Sequence, residues 1–388
     1  MRLGIISDCI HYRDKTGRIG STNHVYVKQM NTLATHFKTS VFCTPVLDVT
    51  PDTPLLSYYT QPGIEFSPLP QAGGKKFMDK IRLISMIPRW FYAFYLLSKR
   101  VDIIYQRFPN NLNIPGFFFI LFSRIPAFAT YTGTWLGYKG ESVTYKFQRW
   151  LLKYIYPGPV FVYDFNIKHP RIFPSTSPSY SLEDWNGEID FIQEKLNKIN
   201  SRNATNRLEL LSVGSLTPYK NHILLLEACV ILKSMGLSFS LNIAGQGRLQ
   251  PDLQYFIEKE GLTDSINLLG VIPQEELRKY YRRADFVIQP SIIEGYGKVP
   301  IEAMFHGAIP LLSAVSIHPF FIGTKNERGA IFDLNSPMGI VNSIKLFTNN
   351  KEVQCNAILA GRAFSKDFTL EAWTQGIISV LTKKGIYA

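Results

Sequence analysis

The feature that most constrains this chain is an alternation that occurs twice. In the first half, the runs LGIISDCI, TSVFCTPV, VDIIYQRF and PAFATYTG are short, apolar and bounded by turns or charge. Continuous apolar runs of this length suit strands covered on both faces, as in a parallel sheet. Between them lie helix-like stretches such as HVYVKQMNTLATHF and the basic stretch from Lys75 to Arg100. The pattern breaks around 164–206, where HPRIFPSTSPSYS is rich in Pro and Ser and is followed by the acidic EDWNGEIDFIQEKLN and the polar SRNATN. It then restarts. LELLSVGSL, SFSLNIAGQG, SINLLGVI, DFVIQPS and AIPLLSA read as strands, and HILLLEACVILKSMG, QPDLQYFIEKEG, PQEELRKYYRRA and VPIEAMFHG as helices. Strands alternating with helices predict a doubly wound α/β sheet, here formed twice. The expected organisation is a first domain over 1–200, a linker near 201–206, a second domain over 207–370 and a closing helix over 371–388. A chain of 388 residues accommodates two such domains. No short-period repeat is present, which excludes solenoids and propellers.

Composition narrows the function classes. With 46% hydrophobic and 19% charged residues the chain is neither disordered nor fibrous. The net charge of +12 is unevenly spread: residues 1–171 hold 21 Lys and Arg against 9 Asp and Glu, whereas 172–388 hold 21 of each. The first half is therefore expected to face something anionic, such as a membrane surface, a phosphate-bearing acceptor or nucleic acid. Its segment KKFMDKIRLISMIPRWFYAFYLLSKR interleaves basic and aromatic residues, which suits either a helix at a membrane surface or an amphipathic helix packed on the sheet. The most apolar window, IPGFFFILF, is about half the ~20 residues a spanning helix needs. No apolar leader with a cleavage site is seen, so a cytoplasmic chain is expected, meeting a membrane from its inner face if it meets one. Cys9, Cys43, Cys229 and Cys355 show no zinc or disulfide spacing, and a reducing compartment follows. The seven histidines have no metal-ligand spacing, and His36, His169, His222, His306 and His318 read as structural or solvated. No D-x-D triplet, G-x-S-x-G or P-loop is present, so no obligate metal, serine nucleophile or P-loop is expected.

Chemistry concentrates in PSIIEGYGKVPIEAMFHGAIPLL, residues 290–312. A strand ends and the glycine-rich turn EGYGK opens a helix, which exposes backbone N–H groups to an anion or hydroxyl. Glu294 precedes this turn and Glu302 follows eight positions later, about two helical turns on. Two carboxylates beside a phosphate-binding turn are awkward unless they accept hydrogen bonds from hydroxyls. A nucleotide sugar offers both phosphates and hydroxyls. The plainer alternative is a helix whose glutamates favour the positive end of its dipole. On spacing alone both readings stand.

E-G-Y-G-K-V-P-I-E-A resembles the E-x(7)-E signature of the retaining, GT-B-fold glycosyltransferases of family 4, the glycosyl transferases group 1. VGSLTPYKNHILLLEA, LNIAGQGRLQPDLQYFIEKEGLTDSINLLGVIP and ELRKYYRRADFVIQPS resemble further segments of that family in its order, covering about 208–312. The resemblance implies a GT-B fold, two Rossmann-like doubly wound domains facing a central cleft. It implies that Glu294 and the backbone of Gly295, Tyr296 and Gly297 hold the donor sugar's hydroxyls, that Lys298 and Val299 offer amides to the phosphates, and that Glu302 accepts the ribose hydroxyls. Lys220 would neutralise the leaving diphosphate. Gly245 belongs to the glycine turn, Val271 and Ile272 would line the base pocket, and Gly20 with Ser21 is similar to the family's glycine loop under the donor phosphate.

The chain departs from the family at three places. Ser215 stands where the family has an arginine, which leaves the diphosphate charge to Lys220, with Arg248 a candidate helper. Thr132, Gly133, Thr134 and Trp135 stand where the first domain commonly offers a histidine, so Thr132, Thr134 and Trp135, with His11 and His24 nearby, are the candidates on the acceptor side. Ser316-Ile317-His318 replaces a glycine pair. The activity implied is retaining transfer of a hexose from a UDP- or GDP-linked sugar to a hydroxyl of a lipid-linked glycan, in assembly of bacterial O-antigen, capsule or exopolysaccharide. No cofactor and no nucleic-acid partner are expected. The alternatives are an epimerase of the same nucleotide-sugar fold and a non-catalytic member that binds nucleotide sugar or membrane.

Overall fold

The structure, a computed structural model, describes residues 1–48, 56–70, 77–138, 140–201 and 207–387, and for 77–84 the backbone alone. Residues 202–206 of the expected linker, Lys75 and Lys76, and the side chains of Lys80 and Arg82 lie outside the described residues. The chain forms two units, Met1–Ser179 with Leu370–Ala388, and Tyr180–Thr369.

The first unit is built on parallel strands in the order Ile172–Pro174, Val160–Val162, Ala127–Tyr131, Ile103–Phe108, Arg2–Ile6, Thr39–Leu47, with Ile64–Leu69 beside the last of these. Successive strand residues point to opposite faces, so Ile103 and Tyr105 enter one core and Ile104 the other. One core joins Tyr26, Met30 and Leu33 of the helix His24–Ala34 to Trp373, Ile377 and Leu381 of the closing helix Leu370–Lys383. The other takes Trp90, Phe94 and Leu97 of Phe77–Ser98, Phe117 and Ile120 of Asn113–Ser123, and Leu151 and Leu152 of Val143–Tyr154. The apolar window IPGFFFILF is thus a core helix. At the end of Thr39–Leu47, a small ribbon of His11–Arg13, Ile19–Ser21 and Ser57–Tyr58 extends the sheet.

The second unit has six parallel strands in the order Ile266–Gly270, Phe239–Ala244, Leu208–Val213, Phe286–Gln289, Ile309–Ser313, Ala330–Phe332. Chain order runs outward from Leu208–Val213 in one direction, then restarts with Phe286–Gln289 in the other. The reversal between these two central strands leaves a crevice at their carboxyl ends, where open α/β sheets bind ligands.

The unit boundary falls at Ser179, about twenty residues before the expected end at 200, and polar burial explains why. Ser181 and Asp184 form a capping box that starts a helix at Leu182. The fully buried Glu188 carboxylate receives Arg278 and Arg282, each with an Nη2 at 2.6 Å, and His306 Nδ1 at 2.9 Å. Burial alone would push this carboxyl up, but His306, Arg282 and Arg278 outweigh it and hold it well below the carboxylate range. Lys195 Nζ donates to the carbonyls of Ala284 (2.8 Å) and Gly307 (3.1 Å), Arg362 stacks 3.8 Å over Trp185, and Ile192 and Ile199 enter the second unit's core. The acidic stretch that reads as a transition is therefore structural material of the second unit.

Candidate functional site

The carboxyl ends of the second unit's strands carry the loops singled out in the sequence. After Leu208–Val213 the chain passes Ser215, which is exposed with its hydroxyl 3.4 Å from that of Thr217, and makes a short turn, Pro218–Lys220. Asn221, with φ +51°, then opens the helix His222–Ser234. After Phe239–Ala244 comes Gly245, whose φ is +145° and whose missing Cβ would stand 1.9 Å from the Gly214 carbonyl oxygen. No other residue lets these two loops touch. Arg248 is exposed beyond it, and after Ile266–Gly270 Val271 is exposed and Ile272 half-buried.

Across the reversal of strand order, the loop after Phe286–Gln289 brings Glu294 to Lys220, with which it forms a salt bridge. Both side chains are mostly buried, at 14% and 20% exposure. Glu294 Oε2 also faces the Ser291 hydroxyl at 3.4 Å, and Oε1 accepts the Gly295 amide at 3.2 Å. The loop is clasped from the next strand: Ser313 Oγ donates to the Ser291 carbonyl (2.6 Å) and Ser316 Oγ to that of Gly295 (2.8 Å). Gly297 has φ +68°, a left-handed conformation that glycine adopts freely. Tyr296 turns its ring inward, edge-on to Phe321 with centroids 5.6 Å apart, so its side chain anchors the turn.

Lys298 caps, and Val299 begins, a helix of seven residues, Val299–Phe305. Glu302 therefore lies in the first turn and not two turns in, and its Oε2 accepts the Tyr281 hydroxyl at 2.8 Å. The structure thus unites Lys220, Glu294 and the Gly295–Gly297 backbone at the switch point, and aligns Ser215, Gly245, Arg248, Val271 and Ile272 on the same sheet edge.

Sequence reasoning missed His318. It is fully buried, its Nδ1 lies 2.9 Å from the Ser313 carbonyl oxygen, and its Nε2 comes within 3.4 Å of the point where a Cβ on Gly297 would stand. The signal was its place in Ser316-Ile317-His318, where the family has glycines. Ser291 and Tyr281, which hold the two glutamates or their loop, gave no sequence signal.

The candidates of the first unit are held differently. Gly20 and Ser21 form a strand, not a loop: a Cβ on Gly20 would meet the Ser57 carbonyl oxygen at 2.7 Å, and the buried Ser21 hydroxyl donates to Ile10 at 2.8 Å. His11 is a core residue. Its Nδ1 lies 2.9 Å from the Cys9 carbonyl and its Nε2 2.7 Å from the Tyr59 hydroxyl, and burial pulls its pKa down to about 4. His24 is half-buried against Ser57. Thr132 donates to the Phe108 carbonyl at 2.9 Å, Thr134 is half-exposed, and Trp135 is buried edge-on to Tyr131. Gly20, His11 and Trp135 therefore owe their identity to packing.

Among the described residues no helix is long and apolar enough to cross a membrane, and no three His, Cys, Asp or Glu side chains are grouped to hold a metal ion.

Residues 193–364 match the family of glycosyl transferases group 1. The chain is similar to the amylovoran biosynthesis glycosyltransferase AmsK of Erwinia amylovora, 37% identical over 113 residues, which are 28% of either chain. It is also similar to an O-antigen chain mannosyltransferase B of Escherichia coli, 28% identical over 171 residues, 44% of each chain. The matches thus span less than half the length of these relatives. In structure, the chain superposes on HepE of Anabaena in complex with UDP and glucose with a TM-score of 0.69, over 98% of this chain and 99% of that one, at 12% identity. That likeness is one of fold, and the fold is GT-B.

Proposed function

We propose, from the premise that residues 193–364 are a glycosyl transferases group 1 segment, that this chain transfers a hexose from a nucleotide sugar to an acceptor hydroxyl. The observation that carries the reading is the Lys220–Glu294 salt bridge across the strand reversal. A cation and a carboxylate held together at a switch point can separate onto the two ends of a nucleotide sugar. Lys220 then meets the diphosphate as negative charge develops on it, and Glu294 accepts sugar hydroxyls beside the Gly295–Gly297 backbone. Glu302, steadied by Tyr281, is assigned to the ribose. The anomeric configuration is retained without a covalent carboxylate intermediate, the departing diphosphate taking the acceptor proton on the same face.

A lipid-linked glycan in surface polysaccharide assembly is the acceptor class, supported by relatives of amylovoran and O-antigen synthesis. It is also supported by the helix Val143–Tyr154. Val143, Phe147, Trp150 and Tyr154 line one exposed stripe at 80, 41, 49 and 56% exposure, flanked by Lys146 and Lys153, and the helix has no acidic residue. Such a stripe suits the boundary of an anionic bilayer, aromatics at the interface and lysines on headgroups.

A screen of UDP- and GDP-linked sugars, read by thermal shift and nucleotide release, tests the donor assignment. Stabilisation by one donor, lost in Glu294→Ala and Glu302→Ala, is expected; no shift at millimolar concentration would remove it. Nucleotide release without acceptor, yielding an epimerised sugar, would favour the epimerase. NMR of the product must show a retained anomer. Vesicles with anionic lipid should co-sediment the wild type and lose Trp150→Glu; equal binding by both would count against the membrane face.

A further inference from the structure

We infer that His318 takes over as the counter-ion of Glu294 when a donor diphosphate draws Lys220 away, so that donor binding brings a proton into the site. The inference rests on the donor reading above and concerns what happens to a buried carboxylate when its cation is claimed by another anion.

His318 follows the strand Ile309–Ser313 and opens the short helix His318–Ile322. Its Nδ1 is 2.9 Å from the Ser313 carbonyl, and a carbonyl only accepts, so Nδ1 carries the hydrogen. The neutral ring then presents a bare lone pair at Nε2, and among the described residues that atom has no hydrogen-bond partner although the residue is fully buried. Buried polar atoms are rarely left so, and one that is unpartnered asks for a function.

The surroundings supply it. The position a Cβ would take on Gly297 is 3.0 Å from Glu294 Cγ and 3.4 Å from His318 Nε2. The glutamate and the imidazole therefore approach the same small gap, which stays open because residue 297 has no side chain. Two charges act on the ring: Glu294, from the loop after Phe286–Gln289, favours its protonation, and Lys220, from the turn after Leu208–Val213, opposes it. The helix His318–Ile322 itself, HPFFI, contributes no other titratable group.

In the free protein burial and Lys220 keep the imidazole neutral, and Lys220 neutralises Glu294. A diphosphate offsets the Lys220 charge, which removes the repulsion on His318 and the compensation of Glu294 together. Both changes favour imidazolium. The proton comes from solvent to Nε2, which gains a donor for the Glu294 carboxylate or a hydroxyl that Glu294 holds. No covalent bond forms or breaks. His318 is on this account a positioning residue that keeps Glu294 aimed.

Calorimetry of UDP-glucose and GDP-mannose binding to the full chain, in buffers of different ionisation enthalpy, tests this. The diphosphate of a nucleotide sugar does not titrate near neutrality, so a proton taken up belongs to the protein. Near pH 6.5 the wild type should take up about half a proton or more per donor bound, falling towards none by about pH 9. His318→Asn should bind without uptake. In the wild type, ring spectra of the seven histidines should show one signal passing to imidazolium on donor binding, a readout that needs no variant to fold. Binding without uptake, or undiminished uptake in His318→Asn, overturns the inference and leaves the donor site standing. Binding of neither sugar overturns both.

Discussion

Lys220 and Glu294 lie 74 residues apart in sequence and meet across the one place where the second sheet reverses its strand order. Each is the other's charge partner in a mostly buried setting, and that interdependence can be measured.

Lys220→Met leaves a mostly buried carboxylate without its cation, and Glu294→Gln leaves the converse. The double variant should be more stable than the sum of the single losses predicts, with a coupling of about 1–3 kcal/mol in denaturant melts without ligand. Coupling near zero would mean the pair does not form in solution. Turnover with the identified donor should fall about 100- to 1000-fold in Lys220→Met, because stabilisation of the leaving group is lost.

Gly245 and Gly376 make a matched contrast. A Cβ at 245 collides with the Gly214 carbonyl at 1.9 Å in a left-handed conformation, whereas one at 376, inside the helix Leu370–Lys383, meets nothing within 4 Å. Gly245→Ala should lose about 1–3 kcal/mol and weaken donor binding. Gly376→Ala should gain about 0.5–1 kcal/mol from helix propensity. Thermal melts of the two side by side decide it, and equal effects would contradict the loop contact.

Glu188 binds the segment before residue 200 to the second unit through Arg278, Arg282 and His306. Glu188→Gln leaves two guanidinium groups short of a buried anion and should cost about 3–5 kcal/mol. A proteolysis time course should then release the segment ahead of the unit's core. Unchanged protection would place the boundary later than Ser179.

Acid should weaken the protein in a defined window. Burial lowers both His11 and His222 from 6.5 to about 4, so the unfolded chain binds their protons first. Their contribution to stability is full above pH 6.5, declines as pH falls, and is exhausted near pH 4, roughly 3 kcal/mol for each group. The Glu188 carboxyl, held low, adds a further loss that begins as pH falls through the ordinary carboxylate range and continues below it. Melting temperature against pH measures this, and His222→Met should flatten part of the decline, since among the described residues the His222 Nδ1 has no partner to lose.

The doubly wound architecture was legible because hydrophobic period is a local property. Runs such as VDIIYQRF and AIPLLSA must be buried on both faces wherever they lie, and the structure makes them the strands Ile103–Phe108 and Ile309–Ser313. The turn EGYGK was legible for a similar reason, since glycine at a strand-to-helix turn limits what the backbone can do there. By itself, then, the sequence determined strands, helices, the double α/β alternation and the loop that carries Glu294. Only the tertiary structure decided which distant groups meet. Composition marked 164–206 as a break, yet Glu188, Trp185 and Lys195 are drawn into the second unit by partners some 90 to 177 residues later. His11 read as an acceptor-side candidate and is a core residue because the ribbon folds it onto Tyr59 and Phe66. His318 read as an idle histidine and faces Glu294 over Gly297 because parallel strands bring their following loops to one edge. Periodicity records which face of an element avoids water, whereas the pairing of buried charges depends on the register of elements far apart in the chain.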